Sequence, residues 1–265
     1  MNSHPCKGKE PFNKMPCSII FGRPELPGVF FDEVRRYFHL DGSGRLLDMD
    51  CRTGSLLPLA GDVEEILIMD PEPGRLAATL WDAEQQGIDN VNLLERGIED
   101  LHPGMGHFRL AVVQEALLRK DGKRRLSSLA EVTEPEGGIV ILCVQRFGPP
   151  DDWEKSVWSV LWNQFGERWS GDELLSRRRP TEPQETIWTG SPFRKTMTFT
   201  HTWTRKLTIG KAVTEIISTA SILFGPFVEI KKSLVDELRN VLRSAGPPGT
   251  LKERLRLTAH FAPKI

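Results

Sequence analysis

No stretch of about 18 consecutive apolar residues occurs in this 265-residue sequence, so it offers no candidate transmembrane helix. The opening residues, MNSHPCKGKEPFNKMPCSII, lack the long apolar core of a secretory signal, and the expectation is a cytoplasmic protein with no membrane partner. Neither sign of charge dominates. Lys and Arg number 35 against 36 Asp and Glu, a net charge of −1, which removes the broad field that would recruit nucleic acid or an anionic membrane. Cysteine is scarce: Cys6, Cys17, Cys51 and Cys143 form no C-x-x-C pair, which argues for reduced thiols and against a disulfide framework or a metal site. A G-x-G-x-x-G turn, which a dinucleotide oxidoreductase would want, is also missing.

What is present is an alternation of two periods. GVFFDEVRRYFHL spaces Val29, Phe30, Val34, Tyr37 and Phe38 as an amphipathic helix would, and DGSG stops it. RLLDMD then reads as a buried strand, SLLPLAG as a short helix, EEILIMD as a second strand ending in an acid, and GRLAATLWDAEQQG as a helix closed by Gly87. NVNLLERGIED supplies a third strand and FRLAVVQEA a fourth. GKRRLSSLAEVTEPEGG reads as a helix with a Pro/Gly stop, and GIVILCVQRF as a fifth strand. Strands separated by helical segments of this length predict β-α-β units and a parallel sheet.

Beyond Phe147 the pattern changes. GPPDDWEKSVWSVLWNQFGERW holds four of the seven tryptophans, and those at 153, 158 and 162 suit amphipathic packing or a dimer surface better than a cation cage. SRRRPTEPQET is a charged connector, FRKTMTFTHTWTRKLT a Thr-rich strand, IGKAVTEIISTASILFG and VEIKKSLVDELRNVLRSAG two helices, and LKERLRLTAHFAP a terminal strand.

In a doubly wound sheet a ligand sits beyond the carboxyl ends of the strands, where strand order reverses. The turn in RLLDMDCRTGSLLP would lie there, with Gly54 allowing close backbone approach and the next helix offering free N–H groups. Asp70 ends the following strand, where an acid can accept from both hydroxyls of a ribose.

These segments carry a resemblance. LLDMDCRTGSLLP resembles the first motif of the class I S-adenosylmethionine-dependent methyltransferases. ILIMDPEPGRLAAT, NVNLLERGIEDL, FRLAVVQEALL and EVTEPEGGIVIL are similar to their later motifs, in order and spacing, across residues 42 to about 145. More faintly, FGRPELPGVFFDEV, with Arg23, is similar to an R-P-x-Y-P segment, and TFTHTWTRKLTIGKAVTEIISTAS to the tail of bacterial small-molecule methyltransferases.

The resemblance implies an α/β, Rossmann-like class I methyltransferase fold: a mostly parallel twisted sheet of seven strands, helices on both faces and an acceptor cap. It divides the chain into a flexible arm at 1–18, an S-adenosylmethionine-binding core at 19–147, a cap at 148–200 and completing strands and helices at 201–265.

It also implies roles. Asp48 would orient the turn and help hold the cofactor's ammonium group; Asp50, Cys51, Arg52, Thr53 and Gly54 would form the turn itself. Asp70 would bind the ribose, Pro71 and Glu72 would wall the adenine, and Glu99 and Asp100 would flank it. Gln114 and Glu115 would face the methyl-transfer axis. Glu115 or His201 would take the acceptor's proton, with His107 a further choice, and Trp188 and Trp203 fall in the expected acceptor lid.

Asp50 and Arg52 replace the first two glycines of the family's turn, which leaves two readings open: a remodelled working site, with Arg52 turned outward or paired with a carboxylate, or a degenerate one. The implied activity is methyl transfer from S-adenosylmethionine to an amine or hydroxyl of a small molecule in bacterial secondary metabolism, with an amino sugar as one such acceptor. A non-methylating cyclase or rearrangement enzyme on the same fold is the alternative. A nucleic-acid partner is disfavoured, because no N/D-P-P-Y/F motif occurs and RKDGKRR and SRRRP are short basic runs. Monomer and homodimer are both compatible with the sequence.

Overall fold

A computed structural model describes Gly22 and residues 24–49, 56–149, 151–165, 186–224, 230–244 and 250–265, with residues 221–224 as backbone only. The expected turn residues Asp50, Cys51, Arg52, Thr53 and Gly54, together with Arg23 and the arm at 1–18, lie outside the described residues.

Helix α1 (Gly28–Phe38) buries Phe30, Phe31 and Val34, and it ends where His39 turns left-handed at φ 49°. Then follow β1 (Arg45–Met49), a 3-10 turn at Leu57–Asp62, β2 (Glu65–Met69), α2 (Pro73–Gln85), β3 (Val91–Leu94), β4 (Phe108–Gln114), α3 (Gly122–Glu131) and β5 (Thr133–Arg146). After these come α4 (Asp152–Phe165), β6 (Met197–Leu207), α5 (Ile209–Phe224), α6 (Lys232–Ser244) and β7 (Leu251–Pro263).

The seven strands form one sheet in the order β3-β2-β1-β4-β5-β7-β6. The pairs β1–β2, β1–β4, β2–β3 and β4–β5 are all parallel. Thr196 N–H donates to Phe261 O and Arg194 N–H to Pro263 O, the descending pattern of an antiparallel partner for β7. Strand order reverses between β1 and β4, which sets the switch point there.

The elements fall where the periods place them, with three differences. SLLPLAG contributes a 3-10 turn, not an α-helix. The third strand covers only Val91–Leu94, and Ile98–Asp100 is a separate 3-10 turn. Strand β5 starts at Thr133, through the segment expected to stop a helix. The register jumps from Phe108↔Thr133 to Leu110↔Gly138, so Pro135 sits in a bulge where no ladder donor is required.

The chain divides into two compact units. The first has its described residues within 24–144, 186–201 and 257–265. Its strands β1 and β2 are buried on both faces after the first residue, as unbroken apolar runs in parallel sheets are. One face joins Leu47, Met49, Met69, Ala111, Val113, Ile139 and Ile141 to Leu126 and Leu129 of α3. Lys264 closes the end of α3, its Nζ donating to Ala130 O and Thr133 O at 2.6 Å each.

The second unit has its described residues at Gly22 and within 145–165 and 202–256. Trp153, Val157, Trp158 and Leu161 of α4 pack with Val213 and Ile216 of α5 and Leu234 and Leu238 of α6, which gives two of the tryptophans the packing role expected of them.

Among these apolar residues lies a buried ionic cluster. Arg146 at the end of β5 pairs with Glu154 of α4, donating from Nη2 to Oε2 at 2.5 Å. Arg205 of β6 donates from Nε to Glu253 of β7 at 2.5 Å and reaches Glu215 of α5 at 2.9 Å. Glu154 also accepts from the Asp151 N–H at 2.6 Å. Its side chain is 1% exposed and that of Glu253 is fully buried. Burial outweighs the arginines: it pushes Glu154 up to about 7 and raises Glu253 as well.

Candidate functional site

The parallel register of the first unit brings three sequence-predicted residues together. Asp48 stands opposite Ile68 in β2 and opposite Val112 in β4. Asp70 and Gln114 lie two residues beyond those partners, so the alternation of strand side chains sends all three to one face of the sheet at the carboxyl end. That face is opposite to α3, because Leu47, Met49, Met69 and Val113 occupy the α3 side. All three residues are buried, Asp48 at 4% exposure, Asp70 at 0% and Gln114 at 9%. Buried carboxylates are costly unless they are met by donors, and in doubly wound sheets the switch point is where ligands bind.

Asp70 is met by its own loop. Its Oδ1 accepts from the Glu72 N–H at 2.8 Å, and Arg75 Nη1 lies 3.1 Å from Oδ1 and 3.2 Å from Oδ2. Glu72 caps α2 by accepting from the Gly74 N–H at 3.3 Å, and both Pro71 and Glu72 are exposed. Arg75 was not singled out by the sequence. Its signal there is the odd placement of a cation in the first turn of a helix, where the backbone dipole disfavours it.

The remaining predicted residues lie elsewhere. Asp100 turns back to accept from the Gly97 N–H at 2.9 Å, and Glu99 pairs with Arg125 of α3; both are exposed.

Glu115 opens the 3-10 turn Glu115–Leu118 that follows β4. It follows Gln114 directly in the chain, lies 3.7 Å from Arg119 and shares a hydrogen bond with the Cys143 thiol of β5. Burial and the neighbouring Glu115 raise the Cys143 thiol far above its ordinary range, so it is an inert donor, not a nucleophile.

His260 of β7 belongs to the same surroundings: burial and Lys195 lower its pKa, Glu115 opposes them, and its Nδ1 shares a 3.0 Å hydrogen bond with Thr198 Oγ1. The nearness of Glu115 to Cys143 and His260 was not legible beforehand, because it depends on strand order, whereas its Arg119 neighbour is a local i,i+4 pair. His201 of β6 stacks on Phe199, with centroids 6.3 Å apart. Among the described residues no group of three or more His, Cys, Asp or Glu could hold a metal ion.

No protein-family model matches the chain, and no curated protein matches it in sequence. Solved structures do. A candidate methyltransferase from Bacillus halodurans matches with a TM-score of 0.51 at 14% identity, over 89% of this chain and 99% of that one. A candidate type II methyltransferase from Anaeromyxobacter dehalogenans gives 0.50 at 16% identity, over 91% and 97%.

The fold is that of a class I methyltransferase. The switch point lies between the carboxyl ends of β1 and β4, which carry Asp48 and Gln114, and Asp70 follows β2 one strand away. Their chemistry fits S-adenosylmethionine: two buried carboxylates and an amide offer acceptors to an ammonium group and a ribose diol. No described helix is long and apolar enough to cross a membrane.

Proposed function

We propose that this chain is an S-adenosylmethionine-dependent methyltransferase acting on an amine or hydroxyl of a small molecule. The observation that carries the reading is the convergence of Asp48, Asp70 and Gln114 on one face at the strand ends.

Bound there, S-adenosylmethionine supplies an electrophilic methyl group on a sulfonium. The chain's residues do the rest. Asp48 holds the ammonium group and Asp70 the ribose hydroxyls. Methyl transfer is an in-line displacement, so orientation and exclusion of water supply most of the acceleration. The acceptor must lose a proton, and Glu115 is the acceptor of that proton, with His201 as the competing choice. Glu115 is placed for the task at the carboxyl end of β4, with Arg119 and the Cys143 thiol beside its carboxylate.

Residues 148–200 form the acceptor cap in this reading. A carboxylate at Glu115 favours a cationic acceptor, with an amino sugar as one example, and bacterial secondary metabolism as the setting. The near-neutral net charge supports a small molecule over nucleic acid.

Calorimetric titration with S-adenosylmethionine beside NADPH tests the cofactor. The reading expects one molecule of S-adenosylmethionine per chain and no NADPH. Asp70→Ala removes charge-assisted hydrogen bonds and should weaken binding about ten- to a hundredfold, with a smaller loss in Asp70→Asn. A double variant, Asp50→Gly with Arg52→Gly, should bind at least as tightly as the parent. If the parent binds nothing and the double variant gains binding, the site is degenerate and the proposal fails.

A further inference from the structure

We infer that Arg75 is a built-in competitor for the ribose acid: it holds Asp70 closed, and ligand binding exchanges this ion pair for the ribose diol. The inference rests on the cofactor reading above and adds to it a determinant of affinity.

Three observations converge on it. First, Asp70 stands directly after β2, one strand from the centre of the switch point, yet its side chain has no exposure to solvent. Second, Arg75 Nη1 sits 3.1 and 3.2 Å from its two oxygens, where the two hydroxyl donors of a diol would have to come. The Glu72 N–H, at 2.8 Å from Oδ1, belongs to the loop backbone and can stay.

Third, nothing in helix α2 calls for a cation at this position. Arg75 is the third residue of the helix, its first turn carries no acid, and the dipole repels positive charge there. A cation kept against a local preference marks a role outside the helix.

Exposure favours the exchange. The Arg75 side chain is 20% exposed, while Asp70 is sealed, so the arginine is the partner that can leave toward water. Its long stem can swing without moving the helix, whose Thr79 Oγ1 holds the Arg75 carbonyl at 3.0 Å. Asp70 then passes from one set of donors to another and is never stripped of them, which avoids the cost of an unpaired buried carboxylate. The ion pair lowers the apparent affinity by the fraction of chains in which Arg75 is docked.

The test is calorimetric titration of S-adenosylhomocysteine into the parent, Arg75→Met, Arg75→Lys, and Arg75→Met combined with Asp70→Ala. Arg75→Met keeps the stem and removes the competing charge, so it should bind about tenfold tighter or more. Arg75→Lys restores a cation and should fall back toward the parent.

In the Asp70→Ala background Arg75→Met should gain nothing, because the acid the arginine blocks is gone. Thermal denaturation gives a second readout. The ligand-free Arg75→Met chain should melt lower than the parent, yet gain more from saturating S-adenosylhomocysteine; an arginine serving stability alone would lower both melting points equally. Parent binding that Arg75→Met leaves unchanged or weakens overturns the competitor role and leaves the cofactor reading standing. Absence of binding in the parent and in every variant overturns both.

Discussion

Replacing Glu154 by Gln should flatten a pH dependence that the buried ionic cluster writes into the stability of the second unit. Glu154 faces Arg146 from β5, the Asp151 backbone, and Glu253 from β7; Glu253 is bound by Arg205 of β6, which also holds Glu215 of α5. Among the described residues two guanidinium groups serve three carboxylates, and burial tips Glu154 toward its protonated form.

Its pKa moves from an ordinary 4.5 to about 7, which corresponds to about 3 kcal/mol. Folding favours the protonated form, so this contribution is complete below pH 4.5 and is lost as pH rises through about 7. Glu253 is shifted the same way and adds to the same slope.

Urea denaturation followed by tryptophan fluorescence, from pH 4.5 to 8, measures it, since Trp153 and Trp158 pack in this unit. Between those limits the Glu154→Gln chain should gain about 3 kcal/mol on the parent. A parent that becomes more stable across this window, or a variant with the parent's slope, would refute the reasoning.

Other outcomes follow from single contacts. Gly138→Ala places a methyl 2.6 Å from Phe38 Cε1 and 2.8 Å from Ala262 O, and should cost about 1–3 kcal/mol in the same denaturation assay. Lys264→Met removes both donors that close α3 and should cost about 2 kcal/mol, with earlier hydrogen exchange at the end of that helix. Glu115→Gln should lower the rate of methyl transfer about a hundredfold or more while leaving calorimetric cofactor affinity within about twofold. If Glu115→Gln retains full turnover and His201→Asn loses it, the proton acceptor is His201.

The parallel core was legible because buried strands in such sheets read as short apolar runs: LLDM, ILIM and LAVV each end at the sheet's carboxyl edge, one beside another. Asp48, Asp70 and Gln114 could be singled out because a polar residue inside or closing such a run has few structural reasons to be there.

What escaped the sequence depended on contacts across strands. Pro135 and the glycines after it looked like a stop because the bulge that houses them exists only against Phe108 and Leu110 of β4. Cys143 met Glu115 through the β4–β5 pairing. Arg75 lay in plain view in PEPGR, but its partner follows from how the β2–α2 loop folds back. The ionic cluster joins residues as far apart as 146 and 253, and no local pattern links them.

The most direct test of the central claim is transfer itself. The protein should be incubated with methyl-labelled S-adenosylmethionine and a panel of amines, phenols and amino sugars, with DNA and RNA as controls. The account predicts label in a small molecule, with S-adenosylhomocysteine formed in equal amount and the product lowered about ten- to a hundredfold by Asp70→Ala at limiting cofactor. Label on DNA or RNA, or an acceptor converted without methyl incorporation while S-adenosylmethionine stays intact, would contradict it.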